Sequence, residues 1–288
     1  MNRAACGREE RNGGRGAGGA VLTVRAVSGL SGDMLLAGMA LMVGATEGEL
    51  ADLVRALGLP GPAAVLALKE RAVRGVTGWG CVLDLPREHR HRTLADIAAL
   101  IRSSSLAPEA AALAEAAFVL LARAEGEVHG MAPERVAFHE LGALDSILDI
   151  CLTCALYARL RPARFVCSPL PLADGGVFCA HGWLPVPAPA VLRLLRGVPV
   201  RPFAGEGETV TPTAIALLKT LGAEFAPWPA MTIDRQALVY GTKVFADAPN
   251  GSIWAYGPAG APPEESGAPG GAPAPPPPFQ PARPEGAL

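Results

Sequence analysis

The densest chemistry in this 288-residue chain lies in Phe138-His139-Glu140-Leu141-Gly142-Ala143-Leu144-Asp145-Ser146-Ile147-Leu148-Asp149. An imidazole and a carboxylate stand just before a helix-forming run, and Asp145 and Asp149, four residues apart, share one face of that helix. Like charges on neighbouring turns repel, which invites a compensating cation. An imidazole with two or three oxygens nearby suits a borderline divalent metal such as nickel, cobalt or zinc, and the affinity order favours nickel over cobalt. The competing reading makes Asp145 a helix cap and leaves Asp149 facing solvent.

Four further motifs carry chemistry. Ser28-Gly29-Leu30-Ser31-Gly32-Asp33 links a strand to a helix, and its small residues let backbone donors at a helix N-terminus approach a phosphate or carboxylate. It matches neither the Walker pattern nor GxGxxG, so a plain tight turn is the alternative. Asp33 is either a helix cap or the mark of a metal or cationic ligand. His89-x-His91, followed by Arg92, is a metal-capture or phosphate loop if it folds over a site and a solvated loop otherwise. His181, in Cys179-Ala-His-Gly182 beside a proline turn, belongs to a surface loop able to serve a site. In Glu208-Thr209-Val210-Thr211-Pro212-Thr213, an N-cap at Thr211 and proline at the first helical position explain two residues, leaving Glu208, Thr209 and Thr213 for a ligand. His129, just before a glycine, reads instead as a helix-end residue favoured by the dipole. Cys151-x-x-Cys154 falls on the apolar helix face opposite the aspartates, as buried thiols rather than a redox or zinc pair.

The elements that must position these residues are punctuated clearly. Val21–Val27 reads as a buried strand and Met34–Val43 as a helix. Thr46-x-x-Glu49 is a capping box opening a helix over Glu47–Leu57, closed by Gly58. Ala63–Leu85 reads as strands with turns at Gly75 and Gly78, and Thr93-x-x-Asp96 opens the next helix after a basic loop, Arg87–Arg92. Pro108–Val128, stopped by Gly130, is the strongest helical signal, and Ala143–Leu160 forms the next helix. Phe165–Leu172 reads as a strand, a Gly175-Gly176 turn follows, and a second extended piece reaches Leu184. Pro189–Arg196 and Pro212–Leu221 are short helices with proline at the start and glycine just past the end. The pattern predicts a mixed α/β fold, helices packed on a mixed sheet.

Composition bounds the rest. Lys and Arg number 25 against 27 Asp and Glu, for a net charge of -2, and no basic run reaches five residues. Nucleic acid and anionic membrane surfaces are therefore not expected partners. Prolines interrupt the longest uncharged stretch and the N-terminus lacks an apolar signal core, so a cytoplasmic protein is expected. Its six cysteines then read as reduced thiols. Residues 1–20 hold 6 of the 34 glycines and 258–288 hold 11 of the 28 prolines, predicting disordered tails around one domain, 21–257.

Taken together, Ser28-Gly-Leu-Ser-Gly-Asp-Met34, His91-Arg92-x-Leu94-x-Asp96-Ile97, the run from Val128-His-Gly130 through Phe138-His-Glu-Leu-Gly-Ala-Leu-Asp-Ser-Ile-Leu-Asp-Ile150, Ser168-Pro-Leu-Pro-Leu172, Ala180-His-Gly-Trp-Leu-Pro-Val-Pro-Ala-Pro189 and Val210-Thr-Pro-Thr213 resemble the LarC family. Their order and spacing over roughly residues 22–250 make the resemblance specific. It implies nickel insertion into pyridinium-3,5-bisthiocarboxylic acid mononucleotide, forming one metal–carbon and two metal–sulfur bonds of the nickel-pincer cofactor of lactate racemase-type enzymes. CTP, taken with a divalent cation, is the nucleotide the family consumes. The expected metal residues are His91, His139, Asp145 and His181, and Glu140 or His139 is the expected base. Ser28, Gly29, Ser31, Gly32, Asp33, Thr211 and Thr213 are the expected cofactor-binding surface. Where relatives carry Asp-Cys before the glycine loop this chain has Arg25-Ala26, and their Tyr-Gly-Ala-Gly-Thr stands here as Leu238-Val-Tyr-Gly-Thr242, whereas Asp247-x-Pro249-Asn250 matches. Full-length relatives continue into a C-terminal CTP-binding domain where this chain turns proline-rich. The expected partners are therefore the pyridinium mononucleotide and a separate CTP-binding domain or a homo-oligomer. A non-catalytic nickel-delivery module and a metal-dependent phosphohydrolase are the alternative functions.

Overall fold

The computed structural model describes residues 19–59, 65–85, 92–138, 141–179, 182–246 and 248–260. The fold is mixed α/β, with seven α-helices and thirteen strands among the described residues. The chain opens with β1 (Ala20–Ala26), in which Val21, Leu22, Thr23 and Val24 are all buried. Such a continuous buried run, rather than alternation, belongs to a strand covered on both faces. The first helix, α1 (Gly32–Val43), is also buried nearly all round, which places it inside a layer rather than on the surface. α2 (Glu47–Ala56) carries the capping box read from the sequence, with Thr46 and Glu49 each satisfying the other's backbone N–H.

A long hairpin follows, β2 (Val65–Val73) and β3 (Val76–Asp84), turning at Arg74 and Gly75. Gly78 is not a second turn but lies within β3, where a Cβ would press on Leu238 O and the Tyr240 ring. Two-residue β4 (Arg92–Thr93) leads into α3 (Leu94–Ser103), opened by the Thr93–Asp96 capping box. The 22-residue α4 (Pro108–His129) has proline in its first turn and ends at left-handed Gly130. β5 (Ala137–Phe138) pairs with β4, and α5 (Leu144–Leu160) comes next.

The expected strand over 165–172 is two strands. β6 (Arg164–Cys167) joins the main sheet, and β7 (Leu170–Asp174) leaves it to pair with β10 (Val200–Glu206). Pro169, lacking an N–H, stands between them, where Ser168 N bonds to Val24 O and Leu170 N to Pro199 O. β8 (Gly176–Cys179) and β9 (Gly182–Pro185) pair only with each other. α6 (Pro189–Leu194), α7 (Pro212–Thr220), β11 (Glu224–Phe225), β12 (Arg235–Val239) and β13 (Ser252–Pro258) complete the chain. Ala20 and Pro258, which composition assigns to the tails, both lie in strands and pair with each other.

The main sheet runs β11-β6-β1-β13-β12-β3-β2 and is mixed, with parallel pairs β11–β6, β6–β1 and β12–β3 and antiparallel pairs β1–β13, β13–β12 and β3–β2. α1 packs on β3, β12 and β13, α5 packs on α1, and α4 packs outside α5 while touching α6 and α7. None of these helices is long and apolar enough to cross a membrane. Close packing of α1 on the central strand requires Gly38, because a Cβ there would fall within the ring of fully buried Trp254. Gly38→Ala improves helix propensity by about 1 kcal/mol, yet overpacking of this kind costs about 1–3 kcal/mol. Urea titration should therefore show a lower midpoint, and a variant at least as stable as the parent would contradict the contact.

Candidate functional site

The loops before α1 and α7 are stitched together. Leu30 N bonds to Thr209 O at 2.9 Å and Thr211 N to Leu30 O at 3.1 Å, forming an isolated parallel bridge between Leu30 and Val210. Gly29 permits the approach, since a Cβ there would meet Thr209 O and its φ of 154° is one that L side chains rarely adopt. The glycine is thus explained by protein packing, independently of any anion. Thr211 caps α7 through the Ala214 N–H at 3.3 Å, as its sequence position suggests.

A cleft of about 560 Å³ opens where helix termini converge. The N-terminal turns of α1 (Ser31, Gly32, Asp33), α5 (Asp145, Ser146, Asp149) and α7 (Thr211, Pro212, Thr213) form one side. The last turns of α4 contribute Glu125, Val128 and His129. Apolar side chains, among them Phe138, Leu141, Val177, Phe178 and Leu184, supply the remaining wall. Phe178, on the β8–β9 hairpin, is 76% exposed.

Asp149 is the unusual group. It is only 8% exposed, and its Oδ1 is buried without a hydrogen-bond partner among the described residues. Gly32 makes room for it, because a Cβ at that position would collide with Asp149 Oδ2 and come within 2.8 Å of the Thr213 methyl. Burial pushes the Asp149 carboxyl well above its ordinary range, and the charges of Asp33 and Asp145 push it further. Burial also raises Asp33, opposed by the Ser31 hydroxyl, backbone N–H groups and the Arg71 charge. That hydroxyl donates to Asp33 Oδ1, so Ser31 does not cap α1 with its side chain. Asp145 is exposed and accepts from Ser146 N at 2.6 Å, whereas the N-cap of α5 is Ala143. The shared face inferred from the four-residue spacing holds, since both aspartates line the cleft. The alternative that Asp149 faces solvent does not.

Of the expected site residues, Gly32, Asp145 and Thr213 line this cleft, and Ser31, Asp33 and Thr211 line both it and an adjoining cavity of about 490 Å³. Ser28 and Gly29 line that second cavity, with Ser28 Oγ donating to Gly251 O at 3.4 Å. His91, His139, Glu140 and His181 lie outside the described residues. Phe138 and Leu141, their sequence neighbours at 138 and 141, both line the cleft. Among the described residues no group of three or more His, Cys, Asp or Glu is arranged to hold a metal ion. His129 stands in the last turn of α4, as its sequence position suggests, and the sequence did not single out Glu125, whose Oε2 lies 3.4 Å from His129 Nε2 one turn earlier. Their four-residue spacing was the available signal. Cys151, Cys154 and Cys167 do not line the cleft. Burial raises Cys151 and Cys167 to about 12, with Arg25 lowering the latter, and lifts Cys154 well above the ordinary thiol range, so none supplies a thiolate at neutral pH.

A family model described as nickel insertion protein matches residues 22–256. A Geobacter metallireducens protein named for nickel insertion is 42% identical over 223 residues, covering 77% of this chain and 57% of the relative. The pyridinium-3,5-bisthiocarboxylic acid mononucleotide nickel insertion protein of a Nocardioides species is 42% identical over 212 residues, 73% of this chain and 53% of its own. Its namesake from Staphylococcus epidermidis is 34% identical over 223 residues, with shares of 77% and 55%. The chain thus spans little more than half the length of these relatives. No solved structure gives a significant match.

The raised carboxyl of Asp149 has a direct thermodynamic signature. The folded chain retains a proton that the unfolded chain releases above the ordinary carboxylate range. This group's contribution to stability is therefore full at low pH and is lost as pH rises toward the folded-state pKa. Asp149→Asn removes that loss. Thermal unfolding at pH 8 should find the variant at least as stable as the parent, with a shallower decline of Tm between pH 5 and 8. A variant markedly less stable at pH 8 would show that the charged carboxylate is itself a structural support.

Proposed function

The chain belongs to the nickel insertion protein family, and from that premise we propose that its cleft receives nickel and pyridinium-3,5-bisthiocarboxylic acid mononucleotide, the compound in the names of two relatives. Nickel is a substrate in this reading. The observation that carries it is the buried, unpartnered Oδ1 of Asp149 beside Asp33 and Asp145. Such a group is costly unless a cation neutralises it, and both the metal ion and the pyridinium ring are cationic. The flat ring also suits the apolar wall formed by Phe138, Val177, Phe178 and Leu184.

In this reading the residues take the roles that the sequence leads one to expect. Asp33 and Asp149 hold the positive charge, and Asp149 surrenders its proton when a dication arrives, so binding releases protons. His139, Asp145 and His181 serve as nickel ligands, and His91 captures the ion. Glu140 or His139 takes the ring proton as carbon bonds to nickel, while the two thiocarboxylate sulfurs complete the product. Ser28, Gly29, Ser31, Gly32, Asp33, Thr211 and Thr213 receive the mononucleotide. CTP with a divalent cation acts as co-substrate on a separate domain or within a homo-oligomer, making the activity a lyase-type cyclometallation. A reducing cytoplasm suits the free thiols.

Equilibrium dialysis tests the metal assignment. Asp149→Asn and His139→Ala should each weaken nickel binding by roughly ten- to a hundredfold, and undiminished binding in both sinks it. Incubation with nickel, CTP and the mononucleotide tests turnover, read as the mass of the nickel adduct. Nickel uptake without adduct favours a delivery module, and phosphate release from simple esters favours a hydrolase.

A further inference from the structure

Glu125, Asp145 and Asp149 line only the main cleft, and an ammonium stands in the cavity beside it. The second cavity, about 490 Å³, shares Ser31, Asp33, Glu208 and Thr211 with the main cleft but also has Thr242, Lys243 and a set of glycines of its own. Lys243 Nζ donates to Glu206 O at 2.6 Å and Glu208 O at 3.1 Å, and lies 4.6 Å above the Phe245 ring centre. Gly207 leaves space for it, since a Cβ there would stand 2.9 Å from Nζ. An ammonium has three donors, and these bonds use two. Arg71 holds the same strap, donating to Gly241 O and, at 3.2 Å, to Thr242 O. Gly29, Gly176, Gly241 and Gly251 also line the cavity.

We propose that this second cavity is the phosphate subsite of the pyridinium mononucleotide, with the Lys243 ammonium contacting the phosphate monoester. The inference rests on the substrate reading above. A ligand with a cationic ring at one end and a phosphate dianion at the other has only one favourable direction here. Its phosphate would be repelled by the exposed Asp145 in the main cleft, whereas in the adjoining one Lys243 attracts it and offsets the Asp33 and Glu208 carboxylates of the shared wall. Glu208, on the shared wall, helps keep Lys243 charged against the opposing effect of burial.

Calorimetric titration of the full chain with the mononucleotide and with its dephosphorylated nucleoside separates this role from a purely structural clasp. The parent should prefer the mononucleotide. Lys243→Met should weaken mononucleotide binding by roughly ten- to a hundredfold and leave nucleoside binding unchanged, whereas Lys243→Arg should retain much of the preference. Equal losses for both ligands in Lys243→Met, or a preference that survives the substitution, would overturn the assignment. A loss confined to CTP would overturn it in favour of a triphosphate. If neither the mononucleotide nor the nucleoside binds the parent, the substrate reading itself fails, and this inference with it.

Discussion

Two backbone hydrogen bonds, Leu30 N to Thr209 O and Thr211 N to Leu30 O, fix the relation on which the site depends. They join segments 180 positions apart in sequence, bringing the starts of α1 and α7 side by side. Thr209 adds a hydroxyl bond to Pro171 O at 2.6 Å, tying the same junction to β7. α1 is anchored on Trp254 through Gly38, and α5 packs against it. Gly32 permits that packing by admitting the Asp149 carboxylate against the first turn of α1.

The electrostatics of this junction are unevenly balanced. Asp33 and Asp145 sit in the first turns of α1 and α5, where unsatisfied N–H groups and the helix dipole favour negative charge. Asp149 lies a turn further along α5, beyond the reach of that benefit, and has no donor for Oδ1. An apolar residue would fill its position at no such cost. A buried carboxyl that packing does not need is better understood as a group awaiting a ligand. The adjoining cavity differs in having an ammonium, held on backbone carbonyls.

Local signals in the sequence carried far. The two capping boxes, the proline-led starts of α4, α6 and α7 and the left-handed glycines after them are set by neighbours within a turn, so spacing alone reveals them. What depends on distant partners did not show. β13 occupies the middle of the sheet, yet its buried Trp254 and Ala255 are consecutive and give no clean alternation. The change of sheet at Ser168 and Pro169 is decided by Val24 and Pro199, far away in the chain. At the site, the common face of Asp145 and Asp149 was legible from their spacing. The burial of one and the exposure of the other was not, because it comes from α1 rather than from α5 itself.

The approach of Gly32 to Asp149 makes these two positions a single unit in sequence space. A methyl at 32 would stand 2.8 Å from the Thr213 methyl and collide with the Asp149 carboxyl, displacing the group that gives the cleft its character. Variation at one position should thus be readable only together with the other, with glycine kept at 32 wherever the acid is present. A relative with the fold intact and a larger residue at 32 would be a scaffold that has parted from its chemistry.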